Sequence, residues 1–133
     1  MTKQYFDLKD QVAIVTGASG GLGVQMAKAL ANQGCNIVVM ARRQEKIDAV
    51  AAEIAEEFGV KTLAIRCDIT DTENVDAAVA ETLEKMGRID ILINNAGTGA
   101  VAPAEDITDA QFDGEMQIDL FGTFKVARAC AKQ

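Results

Sequence analysis

The sequence has no histidine and no tryptophan, and only one serine, one tyrosine and one proline. Without histidine, the commonest protein ligand for transition metals is missing. The three cysteines, Cys35, Cys67 and Cys130, are far apart and odd in number. They offer neither zinc-ligand spacing nor a disulfide framework, so no metal site is expected and a reducing cytoplasm is. No apolar run approaches the roughly 20 residues of a membrane span, and the start, Met1 to Asp7, has no signal-peptide h-region. Basic excess is also missing: 13 Lys and Arg stand against 20 Asp and Glu, a net charge of −7. A nucleic-acid binder needs a positive field, so DNA and RNA are excluded as expected partners.

What is present is the material of one domain. The 133 residues are 49% apolar and 25% charged, enough to bury a core. Short apolar runs alternate with helical periods. Strands are expected at residues 12–16, 36–40, 61–66 and 89–93. Helices are expected at 22–33, with Leu22, Met26 and Leu30 on one face, and at 44–58, with Ile47, Val50, Ile54 and Phe58. A third, capped by Thr70 or Asp71, carries Val75, Val79, Leu83 and Met86; the last runs from about Thr108 to the end. Strands apolar on both faces, each followed by a helix, predict an α/β fold, a Rossmann-type doubly wound parallel sheet.

Between the first strand and first helix lies Thr16-Gly17-Ala18-Ser19-Gly20-Gly21-Leu22-Gly23, with four glycines in eight residues. Gly17 lets the chain turn off the strand, Gly21 keeps side chains away from an approaching pyrophosphate, and Gly23 permits close packing of the helix. Amides around Gly21 and Leu22 can bind an anion at the helix start, and Ser19 can touch a cofactor phosphate. An ordinary glycine-rich turn needs fewer glycines and no such spacing.

Three further strand ends bear on this reading. A NAD site usually places Asp or Glu about 20 residues beyond the glycines; here Met40-Ala41 is followed by Arg42-Arg43. Guanidinium groups suit a 2′-phosphate, so NADP is the expected cofactor, with NAD as the alternative. Basic residues opening a helix oppose its dipole, which argues that they are more than surface. Asp68, before Ile69, can accept from an adenine amino group or cap the following helix. Asn94-Asn95-Ala96-Gly97 offers two amides and then small residues, where a backbone can approach a ribose. All lie at carboxyl ends of expected parallel strands, where open α/β sheets bind ligands.

Together TGASGGLG, Cys67-Asp68-Ile69 and NNAG resemble the short-chain dehydrogenase/reductase family, over essentially the whole chain. The resemblance implies pyrophosphate binding by the glycine segment, adenine contact by Asp68, and a central strand steadied beside the cofactor by Asn95, Ala96 and Gly97. It implies hydride transfer between a nicotinamide and a small-molecule secondary alcohol or ketone, assisted by Ser, Tyr and Lys. The segment 20–30 broadly resembles bacterial 3-oxoacyl-carrier-protein reductases and gluconate 5-dehydrogenases.

The family's acid/base machinery is not in these residues. No Tyr-x-x-x-Lys occurs, Tyr5 is near the start, and Ser19 sits in the glycine loop. The chain therefore reads as one domain, residues 1–133, an amino-terminal half that is inactive alone. The family's catalytic Asn is replaced by Asp119, which keeps acceptors but loses a donor. The fourth strand's outer edge would lack a neighbour, and the last helix carries Phe121 and Phe124, so association into a homo-oligomer is expected. The competing readings are a non-catalytic NADP-binding or protein-interaction module, and a structural domain with a vestigial loop.

Overall fold

The computed structural model describes residues 4–133. Met1, Thr2 and Lys3, part of the stretch read for a signal segment, lie outside the described residues. Four parallel strands form one sheet: β1 (Val12–Thr16), β2 (Asn36–Ala41), β3 (Thr62–Arg66) and β4 (Ile91–Ile93). The order across the sheet is β3-β2-β1-β4. Val12 lies opposite Asn36, Ala13 opposite Ile91, and Ala41 opposite Arg66. The chain winds outward from β1 to β3, then returns to the other side of β1. The direction thus reverses between β1 and β4, and a crevice opens at their carboxyl ends.

Among the described residues α1 (Gly21–Ala31), α2 (Gln44–Phe58), α3 (Thr72–Met86) and α5 (Thr123–Ala131) cover the sheet, while α4 (Asp109–Met116) buries no residue. Alternation along the strands splits the core. Val12, Ile14, Val38 and Met40 face Val75, Val79, Val126 and Ala129 of α3 and α5. Ala13, Val15, Ile37 and Val39 face Ala27 and Ala31 of α1 and Ile47, Val50 and Ile54 of α2. Ile14, Ile37, Ile47 and Ile54 are fully buried, each contributing about 1.5–3 kcal/mol by leaving water. Among the described residues no helix is long and apolar enough to cross a membrane.

Several elements differ from expectation. On α1 the buried residues are Gly23, Ala27 and Ala31, whereas Leu22 and Met26 are exposed. Small residues bring this helix tightly against the sheet, and contact distance outweighs the apolar period. The fourth strand begins at Ile91, not Ile89: the Asp90 backbone N–H donates to the Val12 carbonyl at 2.9 Å, while the Val12 N–H goes to the Asp90 carboxylate at 2.8 Å, so a side chain takes one place in the ladder. Of Thr70 and Asp71, Asp71 caps α3, accepting from the amides of Glu73 and Asn74. The last helix is not continuous. It opens at a Thr108–Gln111 capping box, and a π-helical turn (Gln117–Gly122) separates α4 from α5. That wide turn brings Gly122 onto Ile69, where an added Cβ would stand 2.7 Å from the Ile69 Cγ1.

Candidate functional site

The crevice between β1 and β4 is laced shut at its base. Thr16, fully buried, accepts the N–H groups of Asn95 and Ala96 on Oγ1, each at 3.0 Å. Asn95 Nδ2 donates to the carbonyls of Thr16 and Gly17, each at 3.2 Å. This explains two of the glycines. A Cβ on Gly17, whose φ is +63°, would lie 2.8 Å from the Ala96 Cα. A Cβ on Gly23 would lie 2.4 Å from the Gly17 carbonyl oxygen and 2.7 Å from Asn95 Nδ2. Gly23 therefore serves the contact between α1 and the glycine loop more than helix-to-sheet packing in general.

Above this lacing, α1 starts without a side-chain cap. Its first-turn amides keep their donor capacity at the positive end of the helix dipole. Gly21, at φ +57°, faces space in which an added Cβ would meet no atom within 4 Å. An uncapped helix start opening on free space is the arrangement that receives an anion.

The far rim is cationic. Arg42 and Arg43 are exposed at the tip of β2 and, among the described residues, enter no ion pair. Arg66, at the end of β3, donates from Nε to the Arg42 carbonyl at 3.1 Å. Asp68 Oδ1 accepts from the Thr70 hydroxyl at 2.8 Å and the Thr70 amide at 3.0 Å. Those hydrogen bonds, aided by the charges of Arg42 and Arg66, hold the Asp68 carboxyl below the usual carboxylate range. Burial pushes the neighbouring Cys67 thiol up to about 11, so at neutral pH it is an uncharged wall atom and no nucleophile.

These parts surround a cleft of about 480 Å³. Of the residues singled out in the sequence, Gly17, Ser19, Arg42, Arg43, Asp68, Ile69, Asn95, Ala96 and Gly97 line it. Gly21, Leu22 and Gly23 stand beside it on the first turn of α1, with Leu22 exposed. Asp119 lies outside the lining and accepts the Thr98 amide on Oδ1 at 2.8 Å, while Glu115, one turn earlier, accepts the Ala100 amide. Both carboxylates hold the loop after β4. The amide of Asn94 turns away from the cleft and donates to the Thr123 carbonyl at 3.0 Å.

Sequence reasoning missed Thr16, Arg66, Thr98 and Ile118. A threonine closing an otherwise apolar strand was a usable sign for Thr16. Nothing local marks the others, because the sheet register and the π-helical turn deliver them.

A family model described as short chain dehydrogenase matches residues 11–133. The chain is 40% identical over 121 residues to the peroxisomal 2,4-dienoyl-CoA reductase of Danio rerio, covering 91% of this chain and 40% of that protein. It is 36% identical to an NAD-dependent glycerol dehydrogenase of Listeria innocua, covering 96% and 49%. Among solved structures, the L-sorbose reductase of Gluconobacter frateurii complexed with NADPH and L-sorbose superposes with a TM-score of 0.86 at 31% identity, covering 96% and 49%. The chain spans 40–51% of the length of the curated relatives it matches.

Proposed function

The chain belongs to the short-chain dehydrogenase family, and on that premise we propose that residues 1–133 form the NADP-binding domain of an oxidoreductase interconverting a secondary alcohol and a ketone. The observation that carries this reading is the convergence, at one cleft, of an uncapped helix start and an unpaired arginine tip. The first suits a pyrophosphate and the second a 2′-phosphate. Similarity to both an NAD-dependent and an NADPH-bound protein leaves the choice of cofactor to local residues. Here the tip of β2 is cationic where an NAD site wants a carboxylate.

When bound, the cofactor supplies the hydride chemistry. This chain's residues bind and orient. The first-turn amides of α1, with Ser19 beside them, hold the pyrophosphate, and Arg42 and Arg43 hold the ribose phosphate. Asp68 bonds its own loop through Oδ1, which leaves Oδ2 to accept from the adenine amino group. Ile69 walls the adenine side, while Ala96 and Gly97 admit the ribose. Asp119 takes the place of the family's Asn and keeps its acceptor function, holding the Thr98 amide and with it the loop that shapes the substrate side. The substrates in view are those of 3-oxoacyl-carrier-protein reductases or gluconate 5-dehydrogenases, in a cytoplasmic homo-oligomer.

The second reading, a non-catalytic NADP-binding or interaction module, is favoured by one feature: these residues contain no Tyr-x-x-x-Lys. Both readings require dinucleotide binding. Titration of wild type and Arg42→Ala with NADPH and NADH tests it. NADPH should bind wild type more tightly, and Arg42→Ala should lose about 1.5–3 kcal/mol for NADPH alone. Equal affinities for both cofactors in both proteins reject the NADP assignment.

A further inference from the structure

We propose that Arg66 is a positioning residue for cofactor selection: it sets the direction of Arg42 and thereby the discrimination between a 2′-phosphate and a 2′-hydroxyl. This deepens the NADP reading above and rests on it.

The register places Ala41, the last residue of β2, opposite Arg66, the last of β3. Beyond that pair the ladder adds one bond, from the Cys67 amide to the Ala41 carbonyl at 3.0 Å. The next carbonyl, that of Arg42, receives the Arg66 Nε–H at 3.1 Å. A side chain thus continues the hydrogen-bond ladder for one residue past the end of the sheet. The connection it pins is short: only Arg42 and Arg43 separate β2 from α2, and α2 has no side-chain cap of its own. The Arg42 peptide would otherwise be held only through its neighbours.

The hollow beside this joint carries charges of both signs. Arg42 and Arg66 share it with Asp68, Asp71, Glu73 and Asn74. The Asp71 Oδ1 is occupied by the amides of α3, and the Asp68 Oδ1 by Thr70. Among the described residues neither arginine closes an ion pair with them. The Arg66 guanidinium spends Nε on the backbone carbonyl, and among the described residues its terminal nitrogens make no hydrogen bond. Among the described residues the Arg42 side chain makes no hydrogen bond or ion pair and acts on Asp68 only through its charge. A dianionic phosphate at this rim would meet the Arg42 guanidinium, carried on a peptide that the Arg66 hydrogen bond anchors. Lysine, a point charge on a flexible stem, cannot reproduce the Nε–H fork.

The test uses the 133-residue chain and two small probes, 2′,5′-ADP and 5′-AMP, which differ only in the 2′-phosphate and need no nicotinamide side. Calorimetric titrations are run on wild type, Arg66→Met, Arg66→Lys, Arg42→Ala and the Arg42→Ala/Arg66→Met double variant. Circular-dichroism melts confirm that each is folded. Wild type should prefer 2′,5′-ADP at least 10-fold. Arg66→Met and Arg66→Lys should each lose about 5-fold or more for 2′,5′-ADP and less than 2-fold for 5′-AMP. The double variant should match Arg42→Ala within 2-fold, because the effect runs through Arg42.

Full retention by Arg66→Lys, or losses in the double variant equal to the product of the singles, overturns the positioning role while leaving the NADP reading intact. Equal binding of the two probes by wild type overturns both. Retained preference in a folded Arg66→Met overturns the inference alone.

Discussion

Gly23 is the position at which a single methyl group should do most damage to the site. Its Cβ, if added, would sit 2.4 Å from the Gly17 carbonyl oxygen, 2.7 Å from Asn95 Nδ2 and 3.0 Å from the Ala18 Cα. Real Cβ atoms do not approach a neighbour within 3.0 Å, so the loop or the helix must move by at least ~0.6 Å. Two of the three obstacles are backbone atoms, which cannot swing aside. Overpacking of this kind costs about 1–3 kcal/mol. The Asn95 amide must also loosen its two bonds to the Thr16 and Gly17 carbonyls, each worth about 0.5–1.5 kcal/mol. The better helix propensity of alanine returns at most about 1 kcal/mol.

Gly23→Ala should therefore lose about 1–5 kcal/mol, a large share of a stability that is typically about 5–15 kcal/mol. Dinucleotide binding should fall further, because the displaced loop carries the helix amides. Gly20→Ala is the control, since its backbone is extended at φ 175° and an added Cβ meets nothing within 4 Å. Urea melts followed by circular dichroism, with NADPH titration of each folded protein, give both readouts. A Gly23→Ala protein as stable as Gly20→Ala, binding NADPH equally well, would refute the close-approach argument.

Other perturbations probe the remaining joints. Thr16→Val keeps the strand's shape but strips the acceptor from the part-buried Ala96 amide and one of the two acceptors from the Asn95 amide, which also reaches the Ile93 carbonyl; a loss of about 1–3 kcal/mol in the same melts is expected, and a neutral outcome removes Thr16 from the lacing. The Asp90 carboxyl lies below the usual carboxylate range, first through its hydrogen bonds from Arg88 and then through the Val12 amide. Its contribution is complete above about pH 4 and disappears as pH falls through the lowered folded-state value. Asp90→Asn should accordingly cost about 1 kcal/mol at pH 7, with the gap to wild type closing towards pH 3; a gap independent of pH would disprove the linkage. Purified residues 1–133 should oxidise NADPH with ketones no faster than background, since acid/base assistance alone is worth about 10²–10⁴ in rate. Light scattering should report self-association through the β4 edge and the exposed Phe112, Leu120, Phe121 and Phe124. Turnover typical of the family, or a stable monomer, contradicts these two expectations.

The sequence by itself determined the alternation of strand and helix, the parallel sheet, and the segments that meet at the crevice. Those signals are local: Val and Ile runs for buried strands, spacings of three and four for α2 and α3, and glycines where the backbone must turn. Residues inside those segments, from Gly17 to Asn95, were legible for the same reason. Tertiary structure alone decided how they are joined. On α1 Leu30 packs against the core as its period implies, but Leu22 and Met26 stay exposed, because the close approach through Gly23, Ala27 and Ala31 overrides the apolar period there. Arg66 reaches Arg42 because β2 and β3 end in register, and Asp119 reaches the loop after β4 from a helix widened by a π-helical turn. Such contacts depend on the relative placement of elements distant in the chain, which is fixed by packing around Ile14, Val38 and Val126 and leaves no periodic trace in the sequence.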